Sequence, residues 1–168
     1  MDIPHAKNQK VNVLFVCLGN ICRSPAAEGI MKKMVFDNHL EEDIFVDSAG
    51  TSGWHEGELP DNRMRKHGQR RGYDFCSRSR KFKYSDFETF DYIIVMDDDN
   101  YRNVKKLAKT EEDIAKIHRM TDFSNKFSHP HIPDPYYGDS SGFELVMDLL
   151  EDACENLLNK IKSEELRA

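Results

Sequence analysis

Val11-Asn12-Val13-Leu14-Phe15-Val16-Cys17-Leu18-Gly19-Asn20-Ile21-Cys22-Arg23-Ser24-Pro25 decides the fold. Val11–Val16 is apolar, β-branched and of strand length, and reads as a buried strand. Ala26-Ala27-Glu28-Gly29-Ile30-Met31-Lys32-Lys33-Met34 follows and predicts a helix over Ala26–Val35. Pro25 suits a first helical turn, where its missing N–H costs nothing. The loop from Cys17 to Ser24 therefore sits between a strand end and a helix N-terminus. That place favours a dianion. Loop N–H groups can curl around phosphate oxygens, and the helix end adds positive partial charge. Gly19 and Asn20 are residue types that accept the positive φ of a tight anion nest. Leu18, Ile21 and Cys22 complete the loop, and Arg23 offers a planar fork for two oxygens. Cys17 falls at the base of this cup, where the same donors favour a thiolate. A thiolate facing a phosphorus atom held by Arg23 is a nucleophile for phosphoryl transfer. Ser24 can donate a hydrogen bond to it and ease its departure from a phosphocysteine. No lysine stands at the helix start, so this is not a nucleotide P-loop.

Cleaving a phosphate ester also needs a proton for the leaving oxygen. Asp134-Pro135-Tyr136-Tyr137-Gly138-Asp139 lies in a stretch stiffened by Pro130, Pro133 and Pro135. Pro135 biases Asp134 toward an extended backbone. A stiff loop can hold one carboxylic acid over a pocket. Tyr136 and Tyr137 offer flat walls for an aromatic substrate.

Elsewhere strands alternate with helices. Ile44–Asp47, Tyr92–Met96 and Lys116–Met120 read as strands; Asp61–Gln69, Asp86–Glu88, Asn100–Lys109 and Gly142–Lys162 read as helices. The last carries Phe143, Val146, Met147, Leu150, Ala153, Cys154, Leu157 and Ile161 on one apolar face. The expectation is a single α/β domain over residues 11–168, with residues 1–10 as a loose polar tail. Its central parallel sheet has about four strands with helices on both faces, and the phosphate-binding loop follows the first strand. Ligands of such sheets sit at the strands' carboxyl ends, where Cys17 falls.

Bulk properties exclude several classes. No apolar run is long enough to span a membrane, and Met1–Lys10 is too polar for a signal peptide. Four cysteines in a chain of this character argue for thiols and a cytoplasmic setting. The net charge of −6 is unevenly spread. Arg63–Lys83 holds nine Lys or Arg against Asp74 alone, a local +8, so the other residues sum to −14. A solvated basic helix face is the expected use, not nucleic acid. His129 and His131 lack further close ligands, so no metal is expected.

The chain resembles the low-molecular-weight protein tyrosine phosphatases. The resemblance rests on Val16–Pro25 and Asp134–Gly138, with Val46–Thr51 and Asp86–Asp97 between them, and runs from about Val11 to Ile161. The stretch Gly53–Gly57 is more similar to bacterial members. The resemblance implies Cys17 as nucleophile, Arg23 as phosphate clamp and Asp134 as general acid, then base. It implies that Asn20, Ser24, Ser48 and His67 form a hydrogen-bond network shaping the phosphate loop, and that Trp54 and Tyr136 wall the pocket. It also implies that Cys22 can form a reversible disulfide with Cys17; a plain loop role for Cys22 stays open. No cofactor follows. The implied partners are phosphotyrosine-bearing proteins and a cognate tyrosine kinase, with inorganic phosphate as product and the chain a monomer or weak dimer. Two other functions share features. Related arsenate reductases use a further cysteine pair in mid-chain, where only Cys76 is present here. A phosphotyrosine-binding module would be expected to have lost Cys17, Arg23 or Asp134. Relatives acting on phosphoarginine carry threonine where Ile21 stands. Apolar Ile21, with Trp54 and the tyrosines, suits an aromatic phosphate.

Overall fold

The computed structural model describes residues 10–166. The expected loose tail thus lies, except for Lys10, outside the described residues. Four parallel strands form one sheet: β1 (Val11–Cys17), β2 (Ile44–Gly50), β3 (Tyr92–Val95) and β4 (Ile117–Arg119), in the order β2-β1-β3-β4. The helices are α1 (Arg23–Asp37), α2 (Asn62–Arg70), α3 (Ser85–Thr89), α4 (Asp98–Lys105), α5 (Glu111–Ala115) and α6 (Ser140–Glu164). Single 3₁₀ turns occupy Met120–Phe123 and Pro135–Tyr137.

Alternation along β1 builds two cores. Val13, Phe15 and Cys17 face one layer, with Ile30 and Met31 of α1 and Phe143, Leu150 and Leu157 of α6. Leu14 and Val16 face the other, with Phe87 of α3, Phe90 and Val104 of α4. Both faces of β1 are fully covered, which is why its sequence is a continuous apolar run and not an alternating one.

The order of the strands fixes the site. From β1 the chain crosses to β2 on one side, and β3 then returns to the other side of β1. At such a switch point the connections diverge and leave a crevice at the carboxyl ends. Cys17 ends β1 there, opposite Gly50 of β2, while Val16 lies opposite Val95 of β3.

The basic segment meets expectation in part: Arg63, Lys66 and Arg70 on α2 are exposed, whereas Arg71 and Arg80 after the helix are paired. Arg71 pairs with Glu144, Asp148 and Glu151 of α6 at 2.6, 2.9 and 2.9 Å. Arg80 pairs with Asp47 and Asp86, each at 3.1 Å. Part of the local positive charge therefore ties α2 and the following strand-like segment to acidic elements, and is not a free face. No helix among the described residues is long and apolar enough to cross a membrane.

Candidate active site

Helix α1 begins at Arg23, three residues earlier than its apolar pattern indicates, so Pro25 is its third residue. No side chain caps this helix. The loop does the capping in reverse: the Ser24 N–H points at Cys17 Sγ, 3.4 Å away, and the Asn20 N–H at the same sulfur, 3.3 Å away. Ser24 Oγ lies 3.1 Å from it. Only one of the two residues suited to left-handed backbone uses it. Asn20 has φ of 57°, whereas Gly19 does not have a positive φ. Gly19 instead faces the His55 ring, whose Cδ2 would be 3.2 Å from an added Cβ.

A directed chain of hydrogen bonds backs the sulfur. Asn20 Nδ2 donates to Ser24 Oγ at 2.7 Å and to Ser48 Oγ at 2.9 Å. Ser48 Oγ donates to Glu28 Oε1 at 2.6 Å. With its oxygen accepting from Asn20, Ser24 keeps its own proton, for which Cys17 Sγ at 3.1 Å and the Ala49 carbonyl at 3.4 Å are the acceptors. Asn20 Oδ1 accepts from the Arg80 N–H at 3.0 Å, and Ser79 Oγ donates to the Gly19 carbonyl at 3.1 Å. Asn20, Ser24, Ser48 and Glu28 are all buried. Polar groups buried this way are stable only while all are paired, so the network favours one loop shape.

His67 stands apart from this network. Its Nδ1 is hydrogen-bonded to Glu144, its Nε2 lies 3.3 Å from Ser140 Oγ, and its ring stacks on Phe143 at 5.4 Å. Both ring nitrogens are thus engaged with α6, and buried Glu28 takes the place beside Ser48. Sequence patterning gave Glu28 only as a helix residue. Its one local cue is Lys32 four residues on, with which it pairs.

Arg23 is buried, its side chain 3% exposed. Nη1 donates to Asp97 Oδ2 at 2.6 Å and to the Ile132 carbonyl at 3.1 Å. Nη2 lies 3.5 Å from Asp134 Oδ2. Burial works against the cation, but the negative charges of Cys17, Asp97 and Asp134 outweigh it and hold the guanidinium charged. Asp97 is itself fixed, since its other oxygen caps α4 by accepting from the Asn100 N–H at 2.8 Å. Its position just beyond β3, at the carboxyl end next to β1, is the cue that marks it.

Cys22 also lines the cleft but differs in character. Burial, and then the charges of Asp61, Cys17 and Asp134, push its thiol far up, so it stays protonated. Cys17, Leu18, Gly19, Ile21, Cys22, Arg23, Trp54, His55, Asp134, Tyr136 and Tyr137 line one cleft. Trp54 is 78% and Tyr137 89% exposed, while Ile21 is buried. Asp134 Oδ1 accepts from the Tyr136 N–H at 3.1 Å, making Asp134 the cap of its own 3₁₀ turn. Asp139 points elsewhere and caps α6, accepting from the Ser141 N–H at 3.1 Å. Among the described residues no cluster of three His, Cys, Asp or Glu could hold a metal.

Gly50 sets how closely β2 approaches the loop. A Cβ there would lie 2.9 Å from the Leu18 carbonyl and 3.1 Å from both the backbone nitrogen and Cβ of Asn20. Backbone cannot yield as a flexible side chain can. Gly50→Ala is therefore expected to cost about 1–3 kcal/mol of stability and to weaken inorganic phosphate binding in proportion to the loop's displacement. Calorimetric titration with phosphate and a thermal melt check both. An unchanged variant would show that the loop tolerates a shift.

A loop curled around a cysteine at a switch point, with a buried arginine 3.5 Å from a carboxylate in the same cleft, is a specific combination. The family model of low molecular weight phosphotyrosine protein phosphatase matches residues 12–167. A protein tyrosine phosphatase from Entamoeba histolytica is 51% identical, with a TM-score of 0.89, over 92% of this chain and 98% of its own. A Synechocystis sp. protein assigned provisionally to the low molecular weight protein-tyrosine-phosphatases is 48% identical, over 92% of this chain and 98% of its own. A drosophila arginine phosphatase is 33% identical, with a TM-score of 0.84, over 91% of this chain and 99% of its own. The match to the family model spans nearly the whole chain and includes every residue of the cup, so the chain belongs to the low molecular weight phosphotyrosine protein phosphatase family.

Proposed function

We propose that this protein hydrolyses phosphotyrosine in proteins through a phosphocysteine on Cys17. The observation that carries the reading is the convergence of three donors on Cys17 Sγ beside a buried Arg23 that Asp134 approaches to 3.5 Å. In the first step the Cys17 thiolate attacks phosphorus, and the bond to the tyrosyl oxygen breaks. Asp134 donates its proton to that oxygen. Loop N–H groups and Arg23 hold the three remaining phosphoryl oxygens, where transition-state charge gathers. In the second step Asp134, now a carboxylate, takes a proton from water. The water oxygen attacks phosphorus, the sulfur–phosphorus bond breaks, and inorganic phosphate leaves. Ser24 stabilises the departing thiolate by its hydrogen bond. Asp97 keeps Arg23 facing the cup throughout.

Ile21 and the rings of Trp54, Tyr136 and Tyr137 give the cleft a flat, apolar mouth suited to a phenyl phosphate. Turnover across phosphotyrosine, phosphoserine and phosphoarginine peptides and arsenate tests this. Phosphotyrosine should exceed phosphoserine by about 10²-fold or more in kcat/KM, because serine cannot carry its phosphate to the cup while filling the walls. Equal values would show that the walls do not select. The likeness to an arginine phosphatase makes phosphoarginine the second reading. Ile21→Thr probes that boundary, and an unchanged ratio of the two substrates would remove Ile21 as a determinant. Arsenate reduction is disfavoured because Cys76, the mid-chain cysteine, is exposed and lines a separate depression with Lys32 and Asp74.

Cys22 fits a resolving role. A sulfenic acid on Cys17 is open to the Cys22 thiol on the same loop, whose proton leaves with the sulfenic hydroxyl as water while the disulfide forms. Peroxide should inactivate the enzyme and a thiol reductant restore it. Cys22→Ser should recover less fully; full recovery would leave Cys22 as a loop residue only. The partners under this proposal are phosphotyrosine proteins and the kinase that makes them, in the cytoplasm.

A further inference from the structure

Arg63 touches neither the cup nor the space above it, yet it connects the two halves of the site. It is the second residue of α2, and its N–H donates to the Asp61 cap at 2.8 Å. Its guanidinium makes a two-pronged pair with the same carboxylate, Nε to Oδ1 at 3.1 Å and Nη2 to Oδ2 at 3.0 Å. Nη2 also donates to the Tyr136 carbonyl at 2.9 Å. The guanidinium carbon lies 5.4 Å from the Tyr136 ring centre and 4.9 Å from that of Phe143 in the first turn of α6. On the other side, the Asp61 N–H donates to the Ile21 carbonyl at 2.7 Å. A continuous path therefore runs from the phosphate loop at Ile21, through Asp61 and Arg63, to Tyr136.

That path ends on the turn that carries the acid. Tyr136 is gripped at both ends of its backbone: its N–H by Asp134 and its carbonyl by Arg63. The turn is otherwise open to solvent, with Tyr136, Tyr137, Gly138 and Asp139 all exposed. Pro135, at its base, is buried. Proline fixes the turn's shape, but it does not set its distance from Cys17. An external support must do that, and the Asp61–Arg63 pair is one that starts on the phosphate loop itself.

We propose that Arg63 is a positioning residue for the general acid, holding the Asp134 turn in register with the phosphate loop. The inference rests on the reading of Asp134 as that acid. The Arg63 side chain is 45% exposed, and an exposed ion pair contributes only about 0–1 kcal/mol to stability. Its replacement should therefore leave the fold in place. The effect belongs to geometry, where a displacement of about 1 Å can cost up to about 10²-fold in rate.

The test is kcat/KM for Arg63→Ala, Arg63→Met and Arg63→Lys, each on a phosphotyrosine peptide and on an activated aryl phosphate with a strongly acidic phenol. Both substrates are read on one protein sample, so a misfolded fraction cancels in their ratio. Both are aryl esters, so a loosened Tyr136 wall affects both. Only the substrate with the poor leaving group needs a placed proton. Arg63→Ala and Arg63→Met should lose about 10- to 100-fold on phosphotyrosine but little on the activated ester. Arg63→Lys, which keeps the charge but can reach only one of its two partners at a time, should fall between. In an Asp134→Asn background the same substitutions should add no further leaving-group effect, since the group they position is gone. If Asp134→Asn shows the leaving-group signature and the Arg63 variants do not, or lose both substrates equally, the positioning role is refuted while the acid stands. If Asp134→Asn shows no signature, the acid assignment falls, and this inference with it.

Discussion

Cys17→Ser should abolish turnover of phosphotyrosine, a loss on the order of 10⁶-fold, the scale seen when a nucleophile that acts as part of a unit is removed. The serine oxygen would occupy the same place, near the N–H groups of Asn20 and Ser24 and the Ser24 hydroxyl. Those donors suffice to polarise a large sulfur anion but not to deprotonate an alcohol, and no imidazole among the described residues is hydrogen-bonded to Cys17, since His55 of the same cleft pairs with Glu58. Binding should survive, because the oxygens are held by the loop and Arg23. The variant should therefore capture phosphotyrosine peptides without cleaving them. Substantial turnover by Cys17→Ser, measured on protein free of wild-type carry-over, would exclude the covalent mechanism.

Asp134→Asn should lose about 10²–10⁴-fold on phosphotyrosine, the usual contribution of a positioned acid. The loss should shrink as the leaving phenol becomes more acidic, because a good leaving group departs without a proton. The step to follow is the burst of phenol release, which reports phosphocysteine formation before Asp134 is needed again as base. Asp139→Asn is the control carboxylate. Asp139 is bonded to Ser141 at the start of α6, and that contact holds it below the usual carboxylate range. Its replacement should cost little stability, because Asn caps a helix about as well as Asp, and should show no leaving-group signature. The reverse pattern would transfer the acid to Asp139.

How far the sequence reads depends on how local the determinants are. β1, the loop and α1 were legible because a β-branched run and a helical pattern flank a short loop with turn-capable residues. The long apolar stripe from Phe143 to Ile161 gave α6 for the same reason. Boundaries failed where tertiary contacts extend an element past its own pattern. β2 continues through Ser48-Ala49-Gly50 because those small residues pair with β1 beneath the loop. α1 starts at Arg23 because the cup uses its first N–H groups. α5 went unread, although its Thr110 and Asp113 form a capping box whose spacing is visible in Thr-Glu-Glu-Asp.

Of the site, the residues proposed for the chemistry were legible as a group that the fold brings to one cleft, since Cys17, Arg23 and Asp134 sit in compact motifs. The residues that support them were not. Asp97 reaches Arg23 across 74 positions and Glu28 reaches Ser48 across 20. Arg63 was one cation among nine in a basic stretch, and nothing local distinguishes it from Lys66 or Arg70. Only the packing of α2 against the 135–137 turn selects it.

The most direct test is to quench the wild-type protein in base during turnover of a phosphotyrosine peptide and to map the adduct by mass spectrometry. Phosphate should be found on the peptide containing Cys17, with the lability in mild acid and the stability in base of a thiol-linked phosphate, judged against a synthetic standard. Its build-up should coincide with the burst of dephosphorylated peptide. Phosphate on another residue, or full turnover with no enzyme-bound phosphate detectable at any quench time, would contradict the mechanism.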